Sequence, residues 1–565
     1  MRIVIVGGVA GGMSAAARAR RLSESAEIIV LERGQHPSFA NCGLPYYVGG
    51  EIEDKSKLLV QTPQSLRASL NLDVRIGHNV TAIDSETKTV TAHTADGPVV
   101  ISYDALILAP GARALTLPIP GIDSPRVTTL RTVDDAVALR EQVTSQIGSA
   151  GQDANDAHAV VIGAGFIGLE AAEALALAGY KVSAIERAPH VLPPAEVEVA
   201  SQVRLELERL GMDVYEDAEI TSITNGGSNS DVVNLGTGET IPAHIIVLSA
   251  GVTPDTDFLD GSGVELDNRA IVADAHGRTS VQGIWAVGDA TVQTDKVTGA
   301  RRPVMLAGPA NRAGRLVADD ILNPDAAREI PATLGTAIVR VGELTAAMTG
   351  ANSRSLTAAG VAFHTLHLHP NNHAGYFPGA TGLHLTVHVR EDDGLLLGAQ
   401  IVGNEGADKR IDVLATAIRA GLTAPELIDL DLAYAPPYGS AKDPVNFAGM
   451  VAENVLTDQL ALWYPHEYLS FGDDVLVLDV RTAAEWATGH LPTAHHVPHT
   501  ELRDRLAEVS ELAQGRRIRV TCQSGVRSYI AHRILTEAGF DSASLSGGMI
   551  TYKAIMGIDD LVTGN

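Results

Sequence analysis

Two thiols, Cys42 and Cys522, are the only cysteines among 565 residues, and each stands where sulfur chemistry can be done. Two thiols cannot build a disulfide framework for a chain this long, so a reducing compartment is expected. Cys522 follows the strand-like run Arg519-Val520-Thr521 and precedes a helix predicted over Tyr529–Ala538. The six residues from Cys522 to Arg527 make a concave loop whose backbone N–H groups point inward at the sulfur, an anion-holding nest. Phosphatases and sulfurtransferases both use this geometry. Loop length and context favour sulfur transfer, since no acid-bearing loop suited to a phosphatase is apparent. Cys42 lies in Ser38-Phe39-Ala40-Asn41-Cys42-Gly43-Leu44-Pro45-Tyr46-Tyr47, with no second cysteine near it in sequence. It must therefore act as a lone thiol, through a mixed disulfide, a persulfide or a sulfenic acid.

The elements that must position Cys42 are nucleotide folds. The strand Ile3–Val6 runs into Gly7-Gly8-Val9-Ala10-Gly11-Gly12, then a small-residue helix from Ser14 to Leu22. A second strand, Glu27–Leu31, ends at Glu32, followed by Arg33. In such a unit the turn glycines admit a pyrophosphate, the helix N-terminus attracts it, and the terminal acid takes the ribose hydroxyls. Val9 replaces the middle glycine of the usual pattern. The unit recurs 156 positions later: Ala159–Ile162, then Gly163-Ala164-Gly165-Phe166-Ile167-Gly168, a helix over 169–178, and a strand ending at Glu186. Two dinucleotide turns in one chain point to electron transfer between two nucleotide cofactors. Glu186 favours NADH by repelling a 2′-phosphate, while Arg187 keeps NADPH open. Two further buried-strand runs end in glycine turns, Leu106–Leu108 before Ala109-Pro110-Gly111 and Ile246–Leu248 before Ser249-Ala250-Gly251. In Ala286-Val287-Gly288-Asp289, the Asp289 side chain is placed to accept from a ribityl hydroxyl, with the following helix N-terminus facing phosphate.

The paired turns, the Ala-Pro-Gly and Ala-Gly segments and Ala-Val-Gly-Asp together resemble the flavin disulfide reductase superfamily over about residues 1–450. That resemblance implies FAD in the first fold, completed by Gly288-Asp289, NAD(P)H in the second, and a dimerisation domain. The string around Cys42 is similar to the single-cysteine branch, which includes coenzyme A disulfide reductases, persulfide-reducing relatives and water-forming NADH oxidases. It implies Ser38 and Asn41 as substrate-binding neighbours of Cys42. His373-Ala374-Gly375-Tyr376 and Tyr434-Ala435-Pro436-Pro437-Tyr438 resemble the coenzyme A branch. By that likeness Tyr376 and Tyr434, reaching the cysteine from a partner subunit, are proton donors to a leaving thiolate, with Tyr438 as a substitute. Val475–Arg481, Gly489-His490-Leu491-Pro492 and Cys522–Ser528 resemble a rhodanese domain, which implies Cys522 as persulfide carrier and Arg527 as closing cation.

The expected fold is α/β. It comprises an FAD domain over 1–115 plus 252–325, an NAD(P)H domain over 116–251, an α+β dimerisation domain over 326–450, a linker over 451–470 and an α/β rhodanese domain over 471–565. Strands are expected near 336–341, 362–369, 382–390 and 395–401, and the polar stretch 148–158 reads as a surface loop. A thiolate at Cys42 is expected from a helix N-terminus after Asn41 beside an oxidised flavin. If coenzyme A is the substrate, its phosphates need cations. Ser14, Arg18 and Arg21 share one helix face, and Asn311 and Arg312 are of the same kind. Glu170 resembles a position near the nicotinamide amide. His364, His367, His369 and His373 read as interface polar contacts rather than a metal site.

The net charge of −26, from 42 Lys and Arg against 68 Asp and Glu, argues against nucleic-acid binding. No stretch approaches the ~20 apolar residues of a membrane span, and no secretion signal opens the chain, so a cytoplasmic protein is expected, and the resemblance implies that it is a homodimer. The favoured reading is an NADH-dependent FAD enzyme that reduces a persulfide or disulfide of coenzyme A, or a polysulfide, with sulfane sulfur carried by Cys522. Two other readings stand beside it: a water-forming NADH oxidase or peroxidase cycling Cys42 through sulfenic acid, and a sulfur carrier or redox sensor that hands persulfide to a protein partner.

Overall fold

The computed structural model describes residues 1–149, 157–227 and 230–564. The chain divides into two compact units, one made of Met1–Pro189 and Leu207–Gly335, the other of His190–Glu206 and Thr336–Asn565.

The first unit contains the duplication read from the glycine turns. One five-stranded parallel sheet has the order Ile284–Ala286, Ala105–Leu108, Arg2–Val6, Glu27–Leu31, Asp73–Arg75. The other has Val127–Thr128, Ile245–Leu248, His158–Ile162, Lys181–Ile185, Asp213–Tyr215, again all parallel. Central strands such as Ala105–Leu108 and His158–Ile162 are buried throughout, which explains why they read as unbroken apolar runs. Each sheet has a three-stranded antiparallel companion, Asn79–Asp84 with Thr89–Thr94 and Gly97–Ser102, and Ile220–Asn225 with Asp231–Leu235 and Thr240–Ala243.

Two close backbone contacts set the helix against the strand in each fold. A Cβ on Gly12 would stand 1.9 Å from the Gly7 carbonyl oxygen, and one on Gly168 1.8 Å from that of Gly163. Only glycine permits either approach. Helix Ala307–Leu322 lies on helix Ala10–Leu22 by the same device, since a Cβ on Gly314 would stand 2.1 Å from the Gly11 carbonyl oxygen.

Two local expectations are corrected here. No helix starts directly after Asp289: Gly288–Ala290 is a single 3-10 turn, followed by a hairpin of Val292–Thr294 and Arg301–Pro303 before helix Ala307–Leu322 begins. Thr291 closes the turn, its hydroxyl donating to the Gly288 carbonyl at 2.7 Å, and it lies extended, so the chain leaves as a strand. The expected loop over 148–158 begins inside helix Val133–Ser149, and residues 150–156 lie outside the described residues.

The second unit opens with a five-stranded antiparallel sheet in the order Ala337–Val341, Leu344–Gly350, Leu396–Gly403, Leu383–Arg390, Phe363–Leu368. Leu344–Gly350 was not foreseen. Its sequence LTAAMTG carries little β-branched or aromatic signal, and it is a strand because it is paired on both edges. Helix Ala407–Ala420 is tied to the start of helix Pro444–Leu456 by the buried pair Arg410–Asp443 at 2.8 Å. A five-stranded parallel sheet follows, ordered Leu462–Trp463, Ser542–Leu545, Arg517–Thr521, Val475–Asp479, Ala494–His496. The stretch 451–470, read as a connector, thus supplies the last turns of a helix and an edge strand. Trp463 is fully buried there, its indole N–H donating to the Val520 carbonyl at 3.1 Å.

Gly168→Ala is expected to lower the urea-unfolding midpoint by the equivalent of about 1–3 kcal/mol or more, the cost of overpacking. Gly165→Ala, with no chain atom within 4 Å of the new methyl, should stay within about 0.5 kcal/mol of the parent. Equal effects would show that the helix–strand contact does not set the packing.

Candidate active site

Cys42 sits in the 3-10 turn Asn41–Gly43, which leads into the short helix Leu44–Val48. The loop that carries it is pinned to the first glycine turn, for Ser38 N–H donates to the Gly8 carbonyl at 2.7 Å and Ala40 N–H to that of Leu58 at 2.8 Å. The thiol is exposed and lines a cavity of about 760 Å³. Ser14, Arg18, Arg21, Ser38, Asn41 and Asn311 line the same cavity, so residues far apart in sequence are gathered around one sulfur. Ser14 donates to the Asn311 side-chain oxygen at 2.6 Å, and Arg18 is paired with Asp319 at 2.6 Å. Arg312 is not among the lining residues. Arg315 is, because it lies one helical turn beyond Asn311 on the same face, a spacing that was legible and missed.

The expectation that a helix N-terminus would favour the thiolate is not met by the chain itself. Burial pushes the Cys42 thiol up, the carboxylates of Glu170 and Asp289 push it further, and Arg131 only partly offsets them. The helix that follows is a five-residue stub, too short to supply a strong dipole. Asp289 is raised by its own burial, against the pull of Arg131 at 3.2 Å. Tyr46 donates to Glu170 at 3.0 Å, which ties the Cys42 segment to helix Phe166–Leu177.

The two glycine turns bind their acids in the same way. Glu32 accepts from Gly8 N–H and from Gly34 N–H, both at 2.8 Å. Glu186 accepts from Ala164 N–H and from Ala188 N–H, also both at 2.8 Å. Helix Ala10–Leu22 starts after Val9 and helix Phe166–Leu177 after Gly165, and neither has a side-chain cap or an acid in its first turn. Such ends suit a pyrophosphate. The space is there as well, since nothing of the chain lies within 4 Å of a Cβ placed on Gly165 or Gly111. Gly7, Gly8, Val9, Ala10, Gly11, Gly12, Glu32, Ala109, Gly111, Gly288 and Asp289 thus follow the carboxyl ends of strands of the first sheet. Gly163, Gly165, Phe166, Ile167, Gly168 and Glu186 form the second turn and its acid. Arg33 is paired with Asp255, and Arg187 is exposed.

Cys522, Tyr376, Tyr434 and Tyr438 belong to the second unit. The Tyr376 and Tyr434 hydroxyls are 3.1 Å apart, and this bond raises the Tyr376 phenol above its usual range. Tyr376 is 77% exposed, Tyr438 73% and Tyr434 49%, so these rings form an uncovered aromatic face. Cys522 is fully buried at the end of strand Arg517–Thr521. Its Sγ accepts from Gly525 N–H at 3.2 Å and lies 3.3 Å from the Ser528 hydroxyl, which accepts in turn from Ser544 at 2.8 Å. The sulfur itself is contacted by one loop N–H and by this serine pair, which the sequence reading had not singled out. Arg527 makes a two-point ion pair with Glu485 at 2.6 and 2.7 Å that holds the Glu485 carboxyl down to about 2. Among the described residues no group of three or more His, Cys, Asp or Glu side chains is arranged to hold a metal ion. No helix is long and apolar enough to cross a membrane.

Residues 1–314 match the family model described as pyridine nucleotide-disulphide oxidoreductase, residues 336–444 the dimerisation domain of the same family, and residues 467–554 a rhodanese-like domain. The coenzyme A disulfide reductase of Staphylococcus haemolyticus (strain JCSC1435) is 33% identical over 457 residues, 80% of this chain and all of that protein. The structure of reduced Bacillus anthracis CoADR-RHD superposes with a TM-score of 0.94 at 38% identity, covering 99% of both chains. That of a NAD-dependent persulfide reductase from A. fulgidus gives 0.88 at 34% identity, covering 98% of this chain and 100% of that one.

In a Cys522→Ser background the alkylation rate of Cys42 in the flavin-free chain should rise with pH to a midpoint above that of an ordinary thiol. Glu170→Gln, which removes a negative charge that opposes the thiolate, should move the midpoint down. A midpoint unmoved by Glu170→Gln would show that this carboxylate does not act on the sulfur.

Proposed function

The chain belongs to the pyridine nucleotide-disulphide oxidoreductase family, and on that premise we propose that it uses NADH and FAD to reduce a persulfide or disulfide of coenzyme A at Cys42, with a rhodanese domain that transfers sulfane sulfur through Cys522. The observation that carries this reading is the cavity in which Cys42 shares one wall with Arg18, Arg21, Arg315 and Asn311, beside the first glycine turn. Arginines along a cleft in a chain of net charge −26 suit a phosphorylated substrate whose thiol end reaches the sulfur.

When bound, FAD supplies a two-electron relay between NADH and a thiol site. Around it, Gly7 to Gly12, Glu32, Arg33, Ala109, Gly111, Gly288 and Asp289 are assigned to FAD, and Gly163, Gly165, Phe166, Ile167, Gly168 and Glu186 to NADH. Glu186 accepts two backbone N–H bonds that fix it at the second glycine turn, and an acid at this place would take the ribose hydroxyls and disfavour a 2′-phosphate. Arg18, Arg21, Asn311, Ser38, Asn41 and Tyr438 are assigned to the substrate, with Arg315 in place of Arg312.

The Cys42 thiolate attacks the coenzyme A sulfur of the persulfide, an S–S bond forms between them, and hydrosulfide leaves. Two electrons and a proton then return the Cys42 thiolate and release coenzyme A thiol. Overall, NADH, a proton and the persulfide give NAD⁺, coenzyme A thiol and hydrogen sulfide. We assign Tyr376 and Tyr434 of a second copy as proton donors to the leaving sulfur, which makes the exposed aromatic face part of a homodimer interface. Cys522 carries sulfane sulfur, and Arg527, fixed by Glu485, closes its loop. Two free cysteines and the NADH chemistry support a cytoplasmic enzyme.

Two substitutions test the reading. Cys42→Ser should abolish NADH-dependent sulfide release from coenzyme A persulfide while NADH still bleaches the flavin absorbance. Continued sulfide release would overturn it, and rapid NADH consumption with oxygen alone, indifferent to persulfide, would select the oxidase reading. Cys522→Ser should slow NADH consumption with thiosulfate plus coenzyme A and leave consumption with preformed persulfide unchanged, and equal rates on both would remove Cys522 from the route.

A further inference from the structure

Outside both sulfur sites, a buried polar cluster lies in the second unit, where His367 and His369 meet the segment that follows strand Ser542–Leu545. We propose that these two histidines, at the end of strand Phe363–Leu368 of the antiparallel sheet, are positioning residues for the Cys522 loop, so that sulfur transfer depends on a sheet belonging to a different domain of the family.

The segment Ser546–Thr551 has two working sides. Toward the loop, the Cys522 carbonyl accepts from Met549 N–H at 2.8 Å and the Gln523 carbonyl from Ile550 N–H at 3.0 Å. These N–H groups belong to the first turn of helix Gly548–Met556 and have no partner within their own helix. A Cβ on Gly548 would stand 2.5 Å from the Cys522 carbonyl oxygen, so the helix end and the loop are in direct backbone contact. Toward the antiparallel sheet, the Ser546 hydroxyl lies 2.8 Å from His367 Nδ1, accepts from His367 N–H at 3.3 Å and donates to the Thr365 carbonyl at 3.3 Å. The Thr551 hydroxyl lies 2.8 Å from His369 Nε2. Between them, a Cβ on Gly547 would stand 2.7 Å from His367 Cβ and 2.9 Å from His369 Nε2, too close for any side chain.

The histidines are themselves braced. His367 Nε2 lies 3.2 Å from Glu198, which also accepts from the Thr386 hydroxyl at 2.7 Å. His369 Nδ1 lies 2.9 Å from His384 Nδ1. Burial, then the neighbouring His384 and His367, hold His369 well below its usual range, so at neutral pH it is an uncharged ring with fixed donor and acceptor sides. The segment Ser546–Thr551 is thus hydrogen-bonded to the sheet through Ser546 and Thr551 and to the Cys522 loop through Met549 and Ile550, and its own backbone joins the two sides. A sulfur that must receive and pass on an atom depends on such support for its placement.

This inference rests on reading Cys522 as a sulfur carrier, and the test separates the two. In full-length holoenzyme carrying Cys42→Ser, Cys522 is the only thiol. Sulfur transfer from thiosulfate to cyanide and the pH profile of Cys522 alkylation are then measured for His367→Ala, His369→Ala and Thr551→Val. The expected result is kcat lower by about tenfold or more with KM for thiosulfate little changed, and a displaced alkylation profile. His367→Asn and His369→Gln, which keep a hydrogen-bonding nitrogen near the positions of Nδ1 and Nε2, should recover most of both. Alanine and valine variants with the parent's kcat and profile would overturn the proposal, as would equal losses in the alanine and amide variants. If the parent transferred no sulfur, the carrier reading would fail, while the alkylation profile would still decide whether the histidines position the loop.

Discussion

Both nucleotide folds of this chain depend on a carbonyl oxygen standing where a side chain would otherwise be. The Gly7 oxygen faces Gly12 and the Gly163 oxygen faces Gly168, each under 2 Å from the place of a Cβ. That approach lays the helix across the end of the strand and aims its uncapped N–H groups over the turn. With the helix so placed, the backbone N–H after the first glycine reaches the acid of the neighbouring strand, Glu32 in one copy and Glu186 in the other. A third contact of the same kind, Gly314 on the Gly11 oxygen, brings helix Ala307–Leu322 alongside. It thereby sets Asn311 and Arg315 against Ser14 and Arg18. The cavity beside Cys42 is a consequence of glycine packing before it is a matter of charge.

The two sulfurs are kept in opposite ways. Cys42 is open to its cavity, yet desolvation by the groups packed round it, with two carboxylates added against Arg131, favours the protonated form. Cys522 is fully buried and contacted by one N–H and a hydroxyl. Arg527, at the end of its loop, is already committed to Glu485. Attack on an external substrate needs access, whereas carrying a bound sulfur atom needs enclosure.

Much of this was legible from residue order. Parallel strands buried on both faces announce themselves as apolar runs, and a glycine turn followed by a helix and a strand ending in an acid is a local pattern that needs no tertiary information. The strand Leu344–Gly350 was not legible, because its alanines and threonines carry weak propensity and its state was decided by partners on either edge. Arg315 was passed over for Arg312, although helical spacing from Asn311 favours the former. The Ser528–Ser544 pair and the Glu485 partner of Arg527 join residues 16 and 42 positions apart, and nothing local connects them.

The sequence by itself determined the duplicated nucleotide folds, the two lone cysteines in their loops and the acids that end the second strands, since each is written within a few neighbouring residues. Only the tertiary structure decided which charges bear on Cys42, which arginines line its cavity and which histidines brace the segment behind Cys522. Electrostatic shifts and hydrogen bonds follow distance in space, and the groups that set them here, Glu170 and Asp289 for one sulfur and His367 and His369 for the other, are more than a hundred residues away along the chain.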